Sequence, residues 1–296
     1  MGAHKLDWSA ALQRLLSEGL LAFAADTASF ELSASGQALY AELQKEAPFY
    51  QYEYDAYFQR AEESAVHAEF CRRVYGADFS QHGLIDQAEL AHLLDLLHTQ
   101  RPRHILDAGC GSGRISAHIA QSTNTPTHGI DISPVGIAAA QHRYAHAPLL
   151  SFAVGNLNDL DSLSAQYDAI LFLDTLYYAD SLADTLAAAS RRLAKGGKIY
   201  AYFSQWIMDT AYAQRLHADH CAFAQAAQSL ALPYTYIDLS ESGKKHWKLK
   251  YSTLVDMRPQ FEQEGSSELW TYRIGEAQRY AHWGDDKYAR YLFTVG

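Results

Sequence analysis

The stretch HILDAGCGSG, residues 104–113, decides the fold of this chain. Its first half is apolar and its second half is rich in glycine, which predicts a short buried strand that runs directly into a tight turn. The residues after it predict a helix from about 114 to 121. The N-terminus of such a helix offers unpaired N–H groups and a positive dipole end to whatever lies in the turn.

The residues of this turn indicate the kind of ligand. Gly109, Gly111 and Gly113 leave no side chain between the backbone and a bound molecule. Dinucleotide sites use the spacing G-x-G-x-x-G, which would need a glycine where this chain has Arg114. Asp107, at the end of the strand, would repel a pyrophosphate but would accept a hydrogen bond from an ammonium group. The turn therefore predicts a nucleotide with a cationic amino-acid end and disfavours NAD.

The segment DAGCGSG (107–113) resembles the first motif of the class I S-adenosylmethionine-dependent methyltransferases. Four later segments continue the resemblance in order: GIDIS (129–133), GNLND (155–159), YDAILFLD (167–174) and LAKGGKIY (193–200). The resemblance covers roughly residues 100–205. It implies S-adenosyl-L-methionine as the cofactor and an α/β, Rossmann-like fold. That fold has a seven-stranded, mostly parallel sheet with helices on both faces, and its last strand enters antiparallel between two others.

The resemblance also implies which residues bind the cofactor. Asp131 follows the last glycine by about eighteen residues, where an acid binds the ribose hydroxyls in a βαβ nucleotide unit. Asn156 and Leu157 lie in the loop expected beside adenine, and Leu173 ends a strand at the sheet edge where ligands bind. The predicted cofactor site comprises Asp107, Gly109, Gly111, Gly113, Asp131, Ile132, Asn156, Leu157, Leu173 and Asp174. Each of these residues also has a structural alternative. Asp107 would be a capping acid, the glycines would form a tight turn, Asp131 would be a solvated acid at a strand end and Asn156 would be an ordinary loop asparagine.

The candidates on the acceptor side are His82, Tyr177 and Tyr178. His82 would close over the cofactor or act as a base, with a simple polar turn as the alternative. The two tyrosines follow the fourth strand and would line the acceptor site, or else pack at the start of a helix. A hydroxyl acceptor needs a base, whereas an amine needs only to arrive unprotonated. Because the sequence shows no convincing base or metal pair for a hydroxyl, it favours N- or C-methylation over O-methylation of a small molecule.

The order of the predicted elements defines the domains. Alternating strands and helices between residues 104 and 204 predict a parallel sheet covered on both faces. Residues 1–98 are interpreted as a helical N-terminal cap with a hairpin. The cap is faintly similar to a truncated winged-helix element of the kind that mediates dimer contacts, which suggests a homodimer. Residues 99–296 form the cofactor-binding domain, with an alanine-rich helix at 209–230. An insertion at about 241–287 precedes the last strand, and its length is typical of a lid or specificity element.

Composition excludes several other functions. The 296 residues carry a formal net charge of −10, which disfavours nucleic acid and anionic membranes as partners. Cys71, Cys110 and Cys221 are far apart, which suits a reducing cytoplasm and predicts no disulfide. No signal peptide or membrane-spanning run is visible, so a cytoplasmic protein is expected. His217 and His220 precede Cys221 at a chelating spacing on the predicted helix, but without a fourth partner we expect no metal.

Two other functions remain open from the sequence alone. One is an NAD-dependent oxidoreductase on a similar fold, against which Arg114 counts. The other is a non-catalytic, dimer-forming or binding protein that keeps the fold for stability alone. Such a protein would be expected to lose the cofactor acids, yet Asp107 and Asp131 are both present.

Overall fold

The computed structural model describes residues 8–24, 29–46 and 49–296, which form two compact units that divide between Tyr57 and Phe58. The first unit contains helix α1 (Trp8–Ser17), the antiparallel hairpin β1 (Leu21–Ala24) and β2 (Ser29–Leu32), and helix α2 (Ala34–Glu46). Helix α3 (Phe49–Ala61) spans the division. The predicted boundary at 98/99 therefore falls inside the second unit.

The second unit is built on a seven-stranded sheet, as the sequence predicted. Its strands are β3 (Ile105–Ala108), β4 (Thr127–Asp131), β5 (Leu150–Val154), β6 (Tyr167–Leu173), β7 (Leu193–Trp206), β8 (Tyr234–Asp238) and β9 (Tyr288–Val295). Their order across the sheet is β5-β4-β3-β6-β7-β9-β8. Strand β9 is antiparallel to both β7 and β8, and the other neighbouring pairs are parallel. The last strand thus enters between two others, as expected.

Helices cover both faces of this sheet. The helices of this unit after α3 are α4 (Ala65–Tyr75), α5 (Gln87–Gln100), α6 (Arg114–Thr123), α7 (Pro134–Arg143), α8 (Leu182–Arg192), α9 (Ala222–Ser229), α10 (Ser240–Glu264) and α11 (Ser267–Ala281). Strand β6 shows the two faces by its alternation. Ile170 and Phe172 pack in one core cluster with residues of α8 and α9, whereas Leu171 packs in a second cluster with residues of α5 and α6.

The predicted helix over 209–230 is wrong in its first half. Residues Thr210–Leu216 form a 3-10 segment, and α9 begins only at Ala222. His217 adopts an extended backbone conformation, with φ −68° and ψ 140°, and the hydroxyl of Tyr291 donates a hydrogen bond to the carbonyl of Leu216. These interactions end the first segment. His217, His220 and Cys221 therefore do not share one helix, which removes the chelating spacing.

The insertion before the last strand contains two helices, α10 and α11. Helix α10 begins at Ser240 and ends at Glu264, with Gly265 as its C-cap. Gly265 has φ +81°, a left-handed conformation that favours glycine and ends a helix. Helix α11 then packs back along α10 and leads into β9.

Candidate functional site

The glycine-rich turn follows β3, the third strand in the order of the sheet, at the carboxyl edge. Gly109, Gly111 and Gly113 have φ of +93°, +55° and +74°, all in the left-handed region. A Cβ at Gly109 would lie 2.3 Å from the side chain of Thr175, and one at Gly111 would lie 2.7 Å from the ring of Phe58. The turn therefore needs glycine both for its backbone and for close approach.

Gly113 has a packing role that the sequence did not predict. A Cβ on this residue would lie 2.6 Å from the ring of Phe152 on β5 and 3.0 Å from Ala140 on α7. It thus permits close packing where the turn becomes helix α6. Phe58 lies against Gly111 of the turn and also against Gly136. The turn therefore faces protein side chains as well as the space predicted for the ligand.

Asp107 lies beneath the turn with only half of its hydrogen-bonding capacity used. Its Oδ2 accepts a hydrogen bond from the hydroxyl of Ser116, at 2.6 Å. Its Oδ1 is buried and has no partner among the residues that the structure describes. Burial raises the pKa of this carboxyl to about 7. The arrangement leaves one carboxylate oxygen available to a cationic donor.

Asp131 holds the turn in place from the end of β4. Its Oδ2 accepts from the backbone N–H of Gly111 at 2.8 Å, and its Oδ1 accepts from that of Ser133 at 2.9 Å. A carboxylate oxygen can accept a second hydrogen bond, so both oxygens keep capacity for ribose hydroxyls. Ile132, which lies between Asp131 and Ser133 in the chain, is partly exposed.

The loop after β5 is organised by its asparagines. The side chain of Asn156 accepts from the N–H of Asn158 at 2.9 Å and so caps the 3-10 segment Leu157–Ser162. Asn158 donates to the carbonyl of Tyr178 at 3.1 Å and accepts from the N–H of Asp180 at 2.9 Å. Asn158, which sequence reasoning missed, therefore joins this loop to the one after β6. Its position in the GNLND segment was the available signal.

Leu173 and Asp174 end β6 beside the turn, and Asp174 adopts a left-handed backbone with φ +61°. Such a conformation is unusual for a residue other than glycine and needs support from its surroundings. The side chain supplies that support, because Oδ2 accepts from the N–H of Leu84 at 2.8 Å. Both carboxylate oxygens also accept from Arg290, at 2.6 and 2.9 Å.

Arg290 lies between two buried acids. Its guanidinium donates to Asp174 on one side and to Glu89 of α5 on the other, the latter at 2.9 and 2.8 Å. Arg290 is fully buried and its partners are nearly so. Burial raises the pKa of Glu89, although the charge of Arg290 opposes the shift.

A cavity of about 190 Å³ lies beside Asp174. It is lined by His82, Gly83, Leu84, Asp174, Tyr177, Tyr178, Trp206, Trp247, Glu276 and Tyr280. The three residues predicted on the acceptor side, His82, Tyr177 and Tyr178, thus line one space. His82 comes from the segment between α4 and α5, and Tyr177 and Tyr178 come from the loop after β6.

Neither His82 nor Tyr177 is set up as a base. The Nε2 of His82 lies 3.0 Å from the hydroxyl of Tyr272, and burial lowers the pKa of His82 to about 3. The hydroxyl of Tyr177 accepts from the N–H of Ser204 at 2.6 Å and donates to Asp174 at 3.3 Å. Burial raises the pKa of Tyr177 well above its usual value. At neutral pH both groups are uncharged.

The opposite wall of the cavity comes from the insertion, and sequence reasoning missed its residues. Helix α10 supplies Trp247, and α11 supplies Glu276 and Tyr280. Glu276 accepts a hydrogen bond from the fully buried Lys250 at 2.7 Å. Burial opposes its charge, but Lys250 and neighbouring positive groups prevail and lower the pKa of Glu276 to about 2. A charged residue within a helical sequence pattern does not indicate that its side chain lines a cavity.

Within the described part of the chain, no group of three or more His, Cys, Asp and Glu side chains is placed to hold a metal ion. No helix there has both the length and the apolar character that a membrane crossing requires.

Comparison with known proteins gives a consistent family. Residues 105–197 match the model of a methyltransferase domain. The O-methyltransferase resE of Aspergillus sclerotiorum is 30% identical over 100 residues, which are 33% of this chain and 38% of that protein. Ajmaline N-methyltransferase of Rauvolfia serpentina is 29% identical over 103 residues, 34% of this chain and 35% of that protein. The chain thus spans well under half the length of these relatives.

Solved structures share the fold. A SAM-dependent methyltransferase from Geobacter sulfurreducens, in complex with S-adenosyl-L-homocysteine, superposes with a TM-score of 0.54 and 17% identity over 77% of this chain and 97% of that one. A phosphoethanolamine N-methyltransferase 2 from Haemonchus contortus superposes with a TM-score of 0.59 and 14% identity, over 82% of this chain and 60% of that one. At these identities the likeness establishes the architecture.

Proposed function

Residues 105–197 belong to the class I S-adenosylmethionine-dependent methyltransferases, and on that premise we propose that the chain transfers a methyl group from S-adenosyl-L-methionine to a small-molecule acceptor. The observation that carries the proposal is the buried Oδ1 of Asp107, which lacks a hydrogen-bond partner among the described residues. A buried carboxylate oxygen without a partner is costly in a folded protein. The ammonium group of a methionine would satisfy it.

The donor would lie across the carboxyl ends of β3, β4 and β6. Asp107 would bind its amino group, and the backbone of Gly109, Gly111 and Gly113 would lie along it. Asp131 would bind the ribose hydroxyls. Ile132, Asn156 and Leu157 would contact the adenine side, and Leu173 would offer its carbonyl. Asp174 would lie between the donor and the acceptor, because its side chain lines the cavity.

The acceptor would occupy the cavity next to Asp174, held by His82, Tyr177 and Tyr178 as positioning groups. When bound, the sulfonium donor supplies an activated methyl group. The protein would hold the acceptor atom in line with it, and alignment of this kind lowers a barrier by up to about 7–11 kcal/mol. Because His82 and Tyr177 are both uncharged and hydrogen-bonded, neither supports deprotonation of a hydroxyl. We therefore propose N- or C-methylation rather than O-methylation.

Three wider assignments stay part of the proposal. A cytoplasmic location and a homodimer are expected from composition and from the N-terminal cap of residues 1–98. The insertion at 241–287 is proposed to act as a lid or specificity element of the 99–296 domain, since it supplies one wall of the cavity.

The experiment that tests the activity is a methyl-transfer screen with isotopically labelled S-adenosylmethionine against a metabolite extract, read by product mass. The proposal expects at least one product that is heavier by one labelled methyl group and absent with the Asp107→Asn variant. A donor that binds without any labelled product would indicate a non-catalytic protein.

A further inference from the structure

We infer that the methyl acceptor is a small amine that is cationic in water and carries a neutral oxygen, and that it binds beside Trp206, Tyr280 and Glu276. The inference rests on the proposed function, since it names the substrate class of the same cavity. Four features of the cavity support it: its lining carboxylates, its aromatic walls, its unsatisfied donors and its volume.

Two carboxylates, those of Asp174 and Glu276, line the cavity, whereas none of its lining residues is a lysine or an arginine. The cations paired with these two acids, Arg290 and Lys250, are fully buried and are not among the lining residues. Carboxylates in the lining of a cavity favour a cationic ligand and disfavour an anionic one. Because Arg290 and Lys250 are already paired, a carboxylate on the ligand would have to compete with Asp174 and Glu276 for them.

Aromatic rings form the wall beside Glu276. The ring centroids of Trp206 and Tyr280 are 5.0 Å apart, and those of Trp247 and Tyr280 are 4.6 Å apart. Tyr177 continues the wall at 5.5 Å from Trp206. Ring faces attract ammonium groups, and tryptophan attracts them most strongly. Lys250 already uses this attraction, with its Nζ 4.5 Å from the ring centroid of Trp247.

Two donors on this wall await an acceptor. The indole Nε1 atoms of Trp206 and Trp247 are both buried and have no hydrogen-bond partner among the described residues. Trp247 is only 3% exposed, so water does not readily satisfy it. A ligand oxygen would pair with such a donor once the side chains that cover the donor shift to open it to the cavity. Because the surrounding charge disfavours an anion, we assign a neutral oxygen such as a hydroxyl, ether or carbonyl.

The volume restricts the ligand to a small molecule. The cavity measures about 190 Å³, whereas pockets for drug-sized ligands measure roughly 300–1,000 Å³. An amine of a few carbon atoms with one oxygen fits this space. A polycyclic alkaloid or a folded protein segment does not.

The transfer step is balanced for such an amine. An amine that is cationic in water first loses its ammonium proton to water, which frees the nitrogen lone pair. This lone pair then forms a bond to the methyl carbon while the carbon–sulfur bond breaks, and the bonding pair returns to sulfur. The positive charge thus moves from sulfur to nitrogen. A tertiary amine keeps this charge as a quaternary ammonium, and a primary or secondary amine releases a proton to water. The aromatic wall and Glu276 would stabilise the charge as it develops on nitrogen.

The test compares two probes of the same shape. Choline and 3,3-dimethylbutan-1-ol share a hydroxyl and a bulky head, but only choline is charged, and its nitrogen has no lone pair to methylate. Each is titrated by calorimetry into the full chain saturated with S-adenosylhomocysteine. We expect choline to bind at least about tenfold more tightly. Equal binding of the two probes, or no binding of choline while S-adenosylhomocysteine binds normally, would overturn the inference. Absence of S-adenosylhomocysteine binding would instead overturn the proposed function.

Variants locate the binding position. Glu276→Gln should weaken choline binding about tenfold and change the binding of 3,3-dimethylbutan-1-ol less than twofold. Trp206→Leu removes an indole donor as well as a ring face, so it should weaken the binding of both probes, and that of choline about tenfold more than that of the alcohol. The matched control is Glu268→Gln, on the same helix as Glu276 but paired with Arg60. Glu276→Gln leaves Lys250 without its partner, so Trp206→Leu provides an independent result if the first variant fails to fold. Unchanged choline binding in a folded Trp206→Leu protein would contradict the assignment.

Discussion

Arg290 and Asp174 form a buried, two-pronged ion pair, with N–O distances of 2.6 and 2.9 Å, that joins the last strand of the sheet to the residue after β6. The same guanidinium also binds Glu89 on α5. One side chain thus connects three elements at the edge of the sheet where the cavity lies. Asp174 has a left-handed backbone, so the ion pair also fixes a conformation that the residue would otherwise disfavour.

Replacement of this arginine should be strongly destabilising. Arg290→Met would leave Asp174 and Glu89 buried without a cation, and removal of one partner from a buried ion pair costs about 3–5 kcal/mol. Urea denaturation followed by circular dichroism measures the change in the free energy of unfolding. The control is Arg258→Met, which breaks an exposed pair with Glu262 and should cost no more than about 1 kcal/mol. Similar losses for the two variants would contradict the role given to Arg290.

The packing role of Gly113 gives a second prediction. Gly113→Ala places a Cβ 2.6 Å from the ring of Phe152 at φ +74°, whereas Gly196→Ala meets nothing within 4 Å at φ +77°. Both variants bear the cost of a left-handed backbone. Only the first adds overpacking, which costs about 1–3 kcal/mol. We expect Gly113→Ala to be less stable than Gly196→Ala by that amount in thermal or urea denaturation, and equal stabilities would show that Phe152 moves aside freely.

Binding of the donor should depend on pH through Asp107. Its pKa of about 7 means that the carboxyl becomes protonated as the pH falls below 7, and the charge that attracts an ammonium group is lost. Affinity for S-adenosylmethionine should therefore fall by up to about 25-fold between pH 7.5 and pH 5.5, as follows from single-site proton linkage. Calorimetric titrations at several pH values measure this change.

The control for the pH dependence is Asp107→Asn, which cannot ionise. Its affinity should be lower at pH 7.5 and nearly constant down to pH 5.5. The raised pKa also affects the unliganded fold. Because the folded state keeps a proton that the unfolded state has released, this group's contribution to stability decreases from about pH 4 up to about pH 7. A pH dependence that persists in the variant would assign the titration to another group.

Asp131 is expected to contribute directly to donor affinity. Asp131→Ala removes acceptors for the ribose hydroxyls and the hydrogen bond to the N–H of Gly111, and should weaken binding by about 1–3 kcal/mol. Asp159→Ala, an exposed acid in the loop after β5, is the matched control and should leave the dissociation constant unchanged. If both variants bind the donor as tightly as the original chain, Asp131 does not belong to the site.

Most of the sheet could be predicted because its signals are local. Asp107 and the glycines after it identify a strand, a turn and a helix within ten residues, and the apolar run of β6 carries similar information. The helix predicted over 209–230 failed because its end depends on a distant contact, the hydrogen bond from Tyr291 to the backbone of Leu216. No pattern near residue 216 indicates that contact.

The acceptor side was less predictable for the same physical reason. The sequence indicated His82 because it lies in a polar segment before α5. It indicated Tyr177 and Tyr178 because they follow the end of β6. Glu276 and Trp247 lie on long helices, where a charged or aromatic residue is ordinary, and only the packing of α10 and α11 brings them to the cavity. The buried partner of Asp174 is Arg290, 116 residues away in the chain.

We propose above all that the glycine-rich turn above Asp107 binds S-adenosylmethionine. The most direct measurement is calorimetric titration of the full chain with S-adenosylmethionine and, separately, with NAD at pH 7.5. The account predicts saturable one-to-one binding of S-adenosylmethionine and no heat of binding for NAD. Binding of NAD, or of neither ligand, would contradict it.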